Sequence, residues 1–259
     1  MMLPPEPVLS AFHAETTTRG ASGEAMGPAW DNGIKVGDTV YAHANAWTAW
    51  SARVREKLAV PGARVARPVL ASDGRYTAAG WKATQFIPGQ VRGRIDEAVQ
   101  LALRLDTAMS SAPLPAGGQR SDVFARAENA AWEEDGEAYD MRALAGRPLV
   151  TAHMDLLGTT LFSGANPPAI VDLVPSCVPR PAGWTAALVM VDGLIAGAVD
   201  DGICARFAHV PGIDQLLLRA AAYRRYVNNL HPQSQSTTRS NIERVEEMMV
   251  SRASETLSA

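Results

Sequence analysis

Along the first ninety positions the apolar residues alternate with polar ones or gather in short runs, a pattern that predicts strands. "KVGDTVYAHA" (35–44) has strand composition behind a turn at Asp31–Gly33, and "ARVARPVL" (63–70) and "YTAAGWKATQFI" (76–87) read as two strands around the turn Asp73-Gly74. One helix interrupts them, "AWTAWSARVREKLAV" (46–60), with Trp47, Trp50, Val54 and Leu58 at helical spacing. Pro88-Gly89 punctuates the chain, and beyond it the period becomes helical. Helices are predicted over "RIDEAVQLALRLDTAMSS" (94–111) and over "SDVFARAENAAWEED" (121–135), which opens on a Ser-Asp capping signal. Others follow over 183–201, 213–230 and 240–257, the last behind the polar linker "HPQSQSTTR" (231–239). Two strand-like pieces, "PLVTAHMDLL" and "PPAIVDLVP", joined by "SGANPP", break this helical half. The expected architecture is α+β in two lobes: 1–90, β-rich with one helix, and 91–259, mainly helical with a hairpin over 149–175.

The hairpin is where chemistry concentrates, because Asp155 and Asp172 both stand in apolar surroundings. A carboxylate withdrawn from water needs a cation, an arginine or several donors, so two of them predict either stapled turns or a shared polar site. His153 reads first as a core histidine, and a zinc or manganese hydrolase built on His153, Asp155 and Asp172 has the right ligand types but no third-ligand motif. Asp192, inside the apolar run Trp184–Val199, reads as a satisfied acid, and the six tryptophans read as core.

Composition narrows the classes. A formal charge of -3 over 259 residues gives no field for nucleic acid or an acidic membrane, so neither is expected as a partner. The longest apolar run falls short of the ~20 residues of a membrane span. Cys177 and Cys204 form no metal or disulfide motif, and a cytoplasmic location is expected. The only lysines are Lys35, Lys57 and Lys82, which limits any lysine-dependent chemistry to three candidates.

The pair "HMDLLGTT" and "VDL" resembles the catalytic hairpin of protein-kinase-like phosphotransferases of the aminoglycoside and choline kinase type, whose segments read roughly H-G-D-L-x-x-x-N and I-D-[FW]. The flanking "VARPVLASDGRY", "GWKATQFIPG" and "RPAGWTAALVMVDGL" extend the likeness over about residues 30–230 and look like an actinobacterial branch of that fold. The resemblance implies ATP and Mg²⁺ as cofactors, Asp155 as candidate base, Asp172 as metal ligand and His153 as support of the loop. It also places Thr160 where the family has a metal-binding asparagine, a shorter and weaker ligand.

In the small lobe Ala42 stands about where the family's phosphate-contacting lysine belongs, with His43 on the other strand face. Glu56 lies at the far end of the helix whose first turns should carry the lysine's glutamate partner. The phosphate-covering loop falls on "TRGASGEAMG", whose Gly20, Gly23 and Gly27 match no phosphate-loop spacing and read as a plain loop. The clamp is therefore expected to be missing, with Lys35, Lys57, Lys82, Arg53 or Arg55 as possible replacement cations. Two readings remain: a pseudokinase-like binding or regulatory module, favoured by the joint loss, and a working ATP-dependent kinase of a small hydroxylated or amino-bearing metabolite, favoured by the two surviving aspartates.

Overall fold

The computed structural model describes residues 3–14, 23–116, 120–233 and 236–258. Its elements run α1 (Glu6–Ala11), β1 (Glu24–Ala25), β2 (Ile34–Val36), β3 (Thr39–His43), α2 (Thr48–Lys57), β4 (Arg64–Val65), β5 (Pro68–Val69), β6 (Thr77–Ala78), β7 (Trp81–Gln85), α3 (Ile95–Ala108) and α4 (Val123–Glu133). They continue with β8 (Leu149–Val150), β9 (Thr160–Leu161), β10 (Ala169–Ile170), β11 (Arg180–Pro181), α5 (Trp184–Ile195), α6 (Gly202–Arg206), α7 (Ile213–Leu230) and α8 (Ser236–Ser258). The chain forms two compact units, one of Met1–Arg92 with Asp155–Pro175, the other of Gly93–Met154 with Ser176–Ala259.

The first unit is built on an antiparallel sheet ordered β1-β2-β3-β7-β5, with β6 also on β7. The segment predicted as one strand over 35–44 divides into β2 and β3 because Gly37 turns with φ 59. Strand alternation then sorts the side chains. Tyr41 and Ala83, paired across β3 and β7, join Val36 and Ala71 on one face, where α1 buries Val8 and Phe12 against them. Val40 belongs to a second cluster with Trp30, Ala66, Leu161, Ala169 and Val171.

The segment after β10 leads to Asp172 beside that second cluster. β9 and β10 pair antiparallel through the predicted turn "SGANPP", and β10 pairs parallel with β4. Of the two predicted pieces, 167–175 supplies β10, whereas 148–157 supplies β8, which pairs with β11; β9 lies beyond that piece, and both aspartates stand outside strands. The reason is local: Asp155 closes a turn, accepting the Gly158 N–H at 3.3 Å, while the Thr159 hydroxyl donates to the Asp155 carbonyl at 2.8 Å.

The second unit surrounds α5, which is buried along nearly its whole length. The predicted cap of α4 is Asp122, whose Oδ1 accepts the N–H groups of Phe124 and Ala125 at 3.0 Å each. Buried Arg219 on α7 donates to the carbonyls of Ala131 and Trp132 at the other end of α4. Asp192 pairs with Arg224 through two 2.5 Å contacts, so it is the satisfied acid the sequence predicts. α8 begins at Ser236, inside the polar stretch read as a linker. Among the described residues no helix is long and apolar enough to cross a membrane.

Asp106, at the end of α3, organises this unit. It accepts the Gly183 N–H at 2.6 Å and the Thr185 hydroxyl at 3.0 Å, while the Thr185 oxygen accepts the His153 N–H at 3.0 Å. One carboxylate therefore fixes both the start of α5 and the backbone of His153. Burial pushes its pKa up to about 6 from 3.8, against the pull of those donors. A raised folded-state value means that Asp106 adds stability below about pH 4 and loses it as pH rises through 6. Chemical denaturation at pH 4 and pH 7 is expected to show the Asp106→Asn protein losing less stability over that interval than the unsubstituted one. The difference should be on the order of 3 kcal/mol, from ~1.36 kcal/mol per unit.

Candidate functional site

The helix α2 turns an unexpected side inward. Thr48, Ser51, Ala52 and Arg55 are buried, whereas Trp47, Trp50 and Val54 are only partly covered. The apolar stripe predicted for this helix is thus not its principal buried face, because a buried carboxylate stands opposite the polar one.

That carboxylate is Asp172. The Ser51 hydroxyl donates to its Oδ1 at 2.5 Å, the Lys82 ammonium reaches Oδ2 at 2.5 Å, and Arg55 Nε lies 3.5 Å from Oδ1. The Leu173 N–H adds a bond at 2.8 Å. Arg55 is fixed in turn: its Nε donates to Ser51 Oγ at 3.1 Å and its Nη1 to the Ala66 carbonyl at 2.8 Å. Lys82 also contacts Asp31 Oδ2 at 2.5 Å. Two cations and two carboxylates thus make a neutral cluster drawn from α2, β7, the turn before β2 and the residue pair after β10.

The electrostatics follow from burial and pairing. Burial alone would favour protonation of Asp172, but Arg55 and Lys82 outweigh it and hold the carboxyl well below the usual range. Burial likewise works against the Lys82 ammonium, and Asp172 and Asp31 more than offset it, so its pKa is raised. For Arg55 burial is the larger effect and Asp172 the opposing one. Guanidinium nonetheless remains charged at any ordinary pH.

Of the lysines considered as replacement cations, Lys82 is the one that reaches Asp172. Ala42 and Lys82 are direct partners across β3 and β7, so a lysine does extend from the sheet face where Ala42 stands, one strand away. Of the other candidate cations, Lys35 pairs with surface Glu24, while Lys57 and Arg53 are exposed. Glu56 accepts the Tyr76 hydroxyl at 2.9 Å, and His43 stacks on Trp81. Among the described residues no glutamate accompanies Lys82; its partners are two aspartates.

The turn between β1 and β2 completes the site. Of the glycines read as a plain loop, Gly20 lies outside the described residues, and Gly27 caps a short 3₁₀ turn over Pro28–Trp30. That turn brings Trp30 and Asp31 beside Val40, Ala42, Lys82 and Asp172 around a cavity of about 10 Å³. Such a space suits a single water.

Asp155 and Thr160 belong to the same unit but are not among the lining residues of this cavity. Asp155 is exposed, and Gly158 leaves room for its carboxylate, which would lie 2.6 Å from an added Cβ. Thr160 is fully buried, and its hydroxyl has no hydrogen-bond partner among the described residues. His153 is buried in the second unit. Among the described residues no three His, Cys, Asp or Glu side chains gather as a metal site, which leaves the hydrolase alternative without its ligand set. The sequence did not reveal Asp31, Ser51, Trp30 or Asp106 as partners. A signal existed for Ser51 alone, a polar residue four before Arg55 on one helix face.

No protein-family model and no curated protein matches the chain. Among solved structures, a choline/ethanolamine kinase family protein from Mesorhizobium loti superposes with a TM-score of 0.56 at 15% identity, covering 94% of this chain and 97% of that one. A Plasmodium vivax ethanolamine kinase is similar with a TM-score of 0.46 at 10% identity, over 91% of this chain and 83% of its own. The β-rich first unit, the helical second unit and the likeness to the Mesorhizobium loti protein establish that the chain has the α+β, protein-kinase-like phosphotransferase fold.

Proposed function

We propose that this protein is a kinase-fold binding or regulatory module whose nucleotide position is closed by its own ion pairs. The observation that carries this reading is the commitment of Asp172: both of its oxygens are taken by Lys82, Ser51 and the Leu173 N–H, with Arg55 beside them. The adjoining cavity, about 10 Å³, has room for one water rather than a triphosphate. The residues as arranged do not fit a magnesium ion, which demands a near-octahedral oxygen shell and keeps several waters. Thr160 offers one enclosed hydroxyl, and an ammonium already occupies the carboxylate meant for the metal. In this reading Lys82 and Arg55 serve to neutralise Asp172, and no phosphoryl transfer follows.

One observation favours a second reading, an ATP-dependent kinase of a small hydroxylated or amino-bearing metabolite. Lys82 stands directly across from Ala42, so a lysine borrowed from the neighbouring strand could contact phosphate once Asp31 withdraws. Asp155, exposed in its turn, would then be the base that orients the acceptor, with His153 supporting the loop.

Calorimetry and thermal shift with ATP and Mg²⁺ separate the two. A site whose Kd is one-hundredth of the nucleotide concentration would add about 2.7 kcal/mol and raise Tm by roughly 5–10 °C. The closed module is expected to leave Tm unmoved at millimolar ATP. Turnover of ATP that disappears in both Asp155→Ala and Asp172→Ala would establish the kinase instead.

The neutralising role makes its own prediction. Lys82→Met strands a buried carboxylate, and urea denaturation is expected to show a loss of about 3–5 kcal/mol. A loss below ~1 kcal/mol would mean that Asp172 is adequately held without the lysine.

A further inference from the structure

The turn Gly27–Gly33 is organised throughout. Trp30 N–H and Asn32 N–H donate to the Gly27 carbonyl at 3.0 and 3.1 Å, Asp31 N–H to Pro28 at 2.8 Å, and Gly33 N–H to Trp30 at 2.9 Å. Asp31 and Asn32 are both left-handed, with φ 52 and 53, a conformation these two residue types tolerate best after glycine. Gly33 is pressed onto β3, where an added Cβ would lie 2.5 Å from the Tyr41 carbonyl. This geometry delivers two groups of different chemistry to one place. The Trp30 ring, 7% exposed, enters the cluster of Val40, Leu161 and Val171 with the Phe86 ring 5.8 Å away. The neighbouring Asp31 carboxylate sits on Lys82.

We propose that Trp30 and Asp31 are an internal ligand: the chain fills, with its own indole and carboxylate, a site suited to a planar aromatic group bearing an anion. The inference rests on the closed-site reading and explains what closes it. Within the charge cluster the side-chain exposures are 1% for Arg55, 8% for Lys82 and 10% for Asp172, against 43% for Asp31. Asp31 is therefore the exchangeable member. Replacing its carboxylate by an external anion keeps Lys82 paired, whereas displacing Asp172 would strand a buried charge. An aromatic anion competes for both halves of the site, and pyrophosphate competes for the carboxylate half alone.

Asp31→Asn preserves shape and removes the competing charge on a half-exposed side chain, so the fold should persist. Titrating ATP and pyrophosphate separately by calorimetry is expected to show both binding at least 10-fold more tightly to Asp31→Asn than to the unsubstituted protein, about 1.4 kcal/mol. Equal affinity of the two proteins, or no binding by either, would overturn the internal ligand. The outcome is separable from the parent reading: tight ATP binding by the unsubstituted protein refutes the closed module, while the ratio between the two proteins decides the role of Asp31.

Discussion

The first unit is arranged around the removal of one carboxylate from water. Asp172 sits between apolar Val171 and Leu173, and such a charge persists only if its surroundings supply cations and donors. Lys82 comes from the sheet and Arg55 and Ser51 from α2, so three separately encoded segments meet at one group. Much else follows from this meeting. α2 turns a polar side inward, Arg55 is fully buried, and the residue opposite Lys82 on β3 is small.

The cluster draws its charges from both sides of the first unit's sheet-and-helix layer. The fold brings Asp172, which follows the short β9–β10 hairpin, to the same unit as the antiparallel path β1-β2-β3-β7-β5. Within the cluster two cations face two carboxylates, and the second carboxylate comes from the turn before β2. A tryptophan beside that turn fills the adjoining apolar space. The second unit repeats the theme more simply, since Asp106 ties the start of α5 to the backbone of His153 through Thr185.

The turn "SGANPP" was readable because its residue types favour a turn, and it joins β9 to β10. Asp122 as a cap and Asp192 as a satisfied acid were readable for the same reason, in that residue type and helical spacing restrict their surroundings. Lys82 was visible as one of three lysines, but its destination was not. Which residue faces Ala42 depends on the β3–β7 register, and a shift of one residue would have turned Lys82 to the other face. The same limit hid the polar side of α2, whose tryptophans at helical spacing pointed to the wrong surface.

The sequence by itself determined the passage from a strand-rich first part to a mainly helical remainder and the likeness to a phosphotransferase fold, because periodicity, turn residues and short motifs act over a few positions. Only the tertiary structure decided what surrounds Asp172. The partners of Asp172 lie 90 and 121 residues away, at Lys82 and Ser51, and Asp31 reaches Lys82 from a separate turn. Charge neutralisation in a buried site is a property of space rather than of spacing, and no local pattern records it.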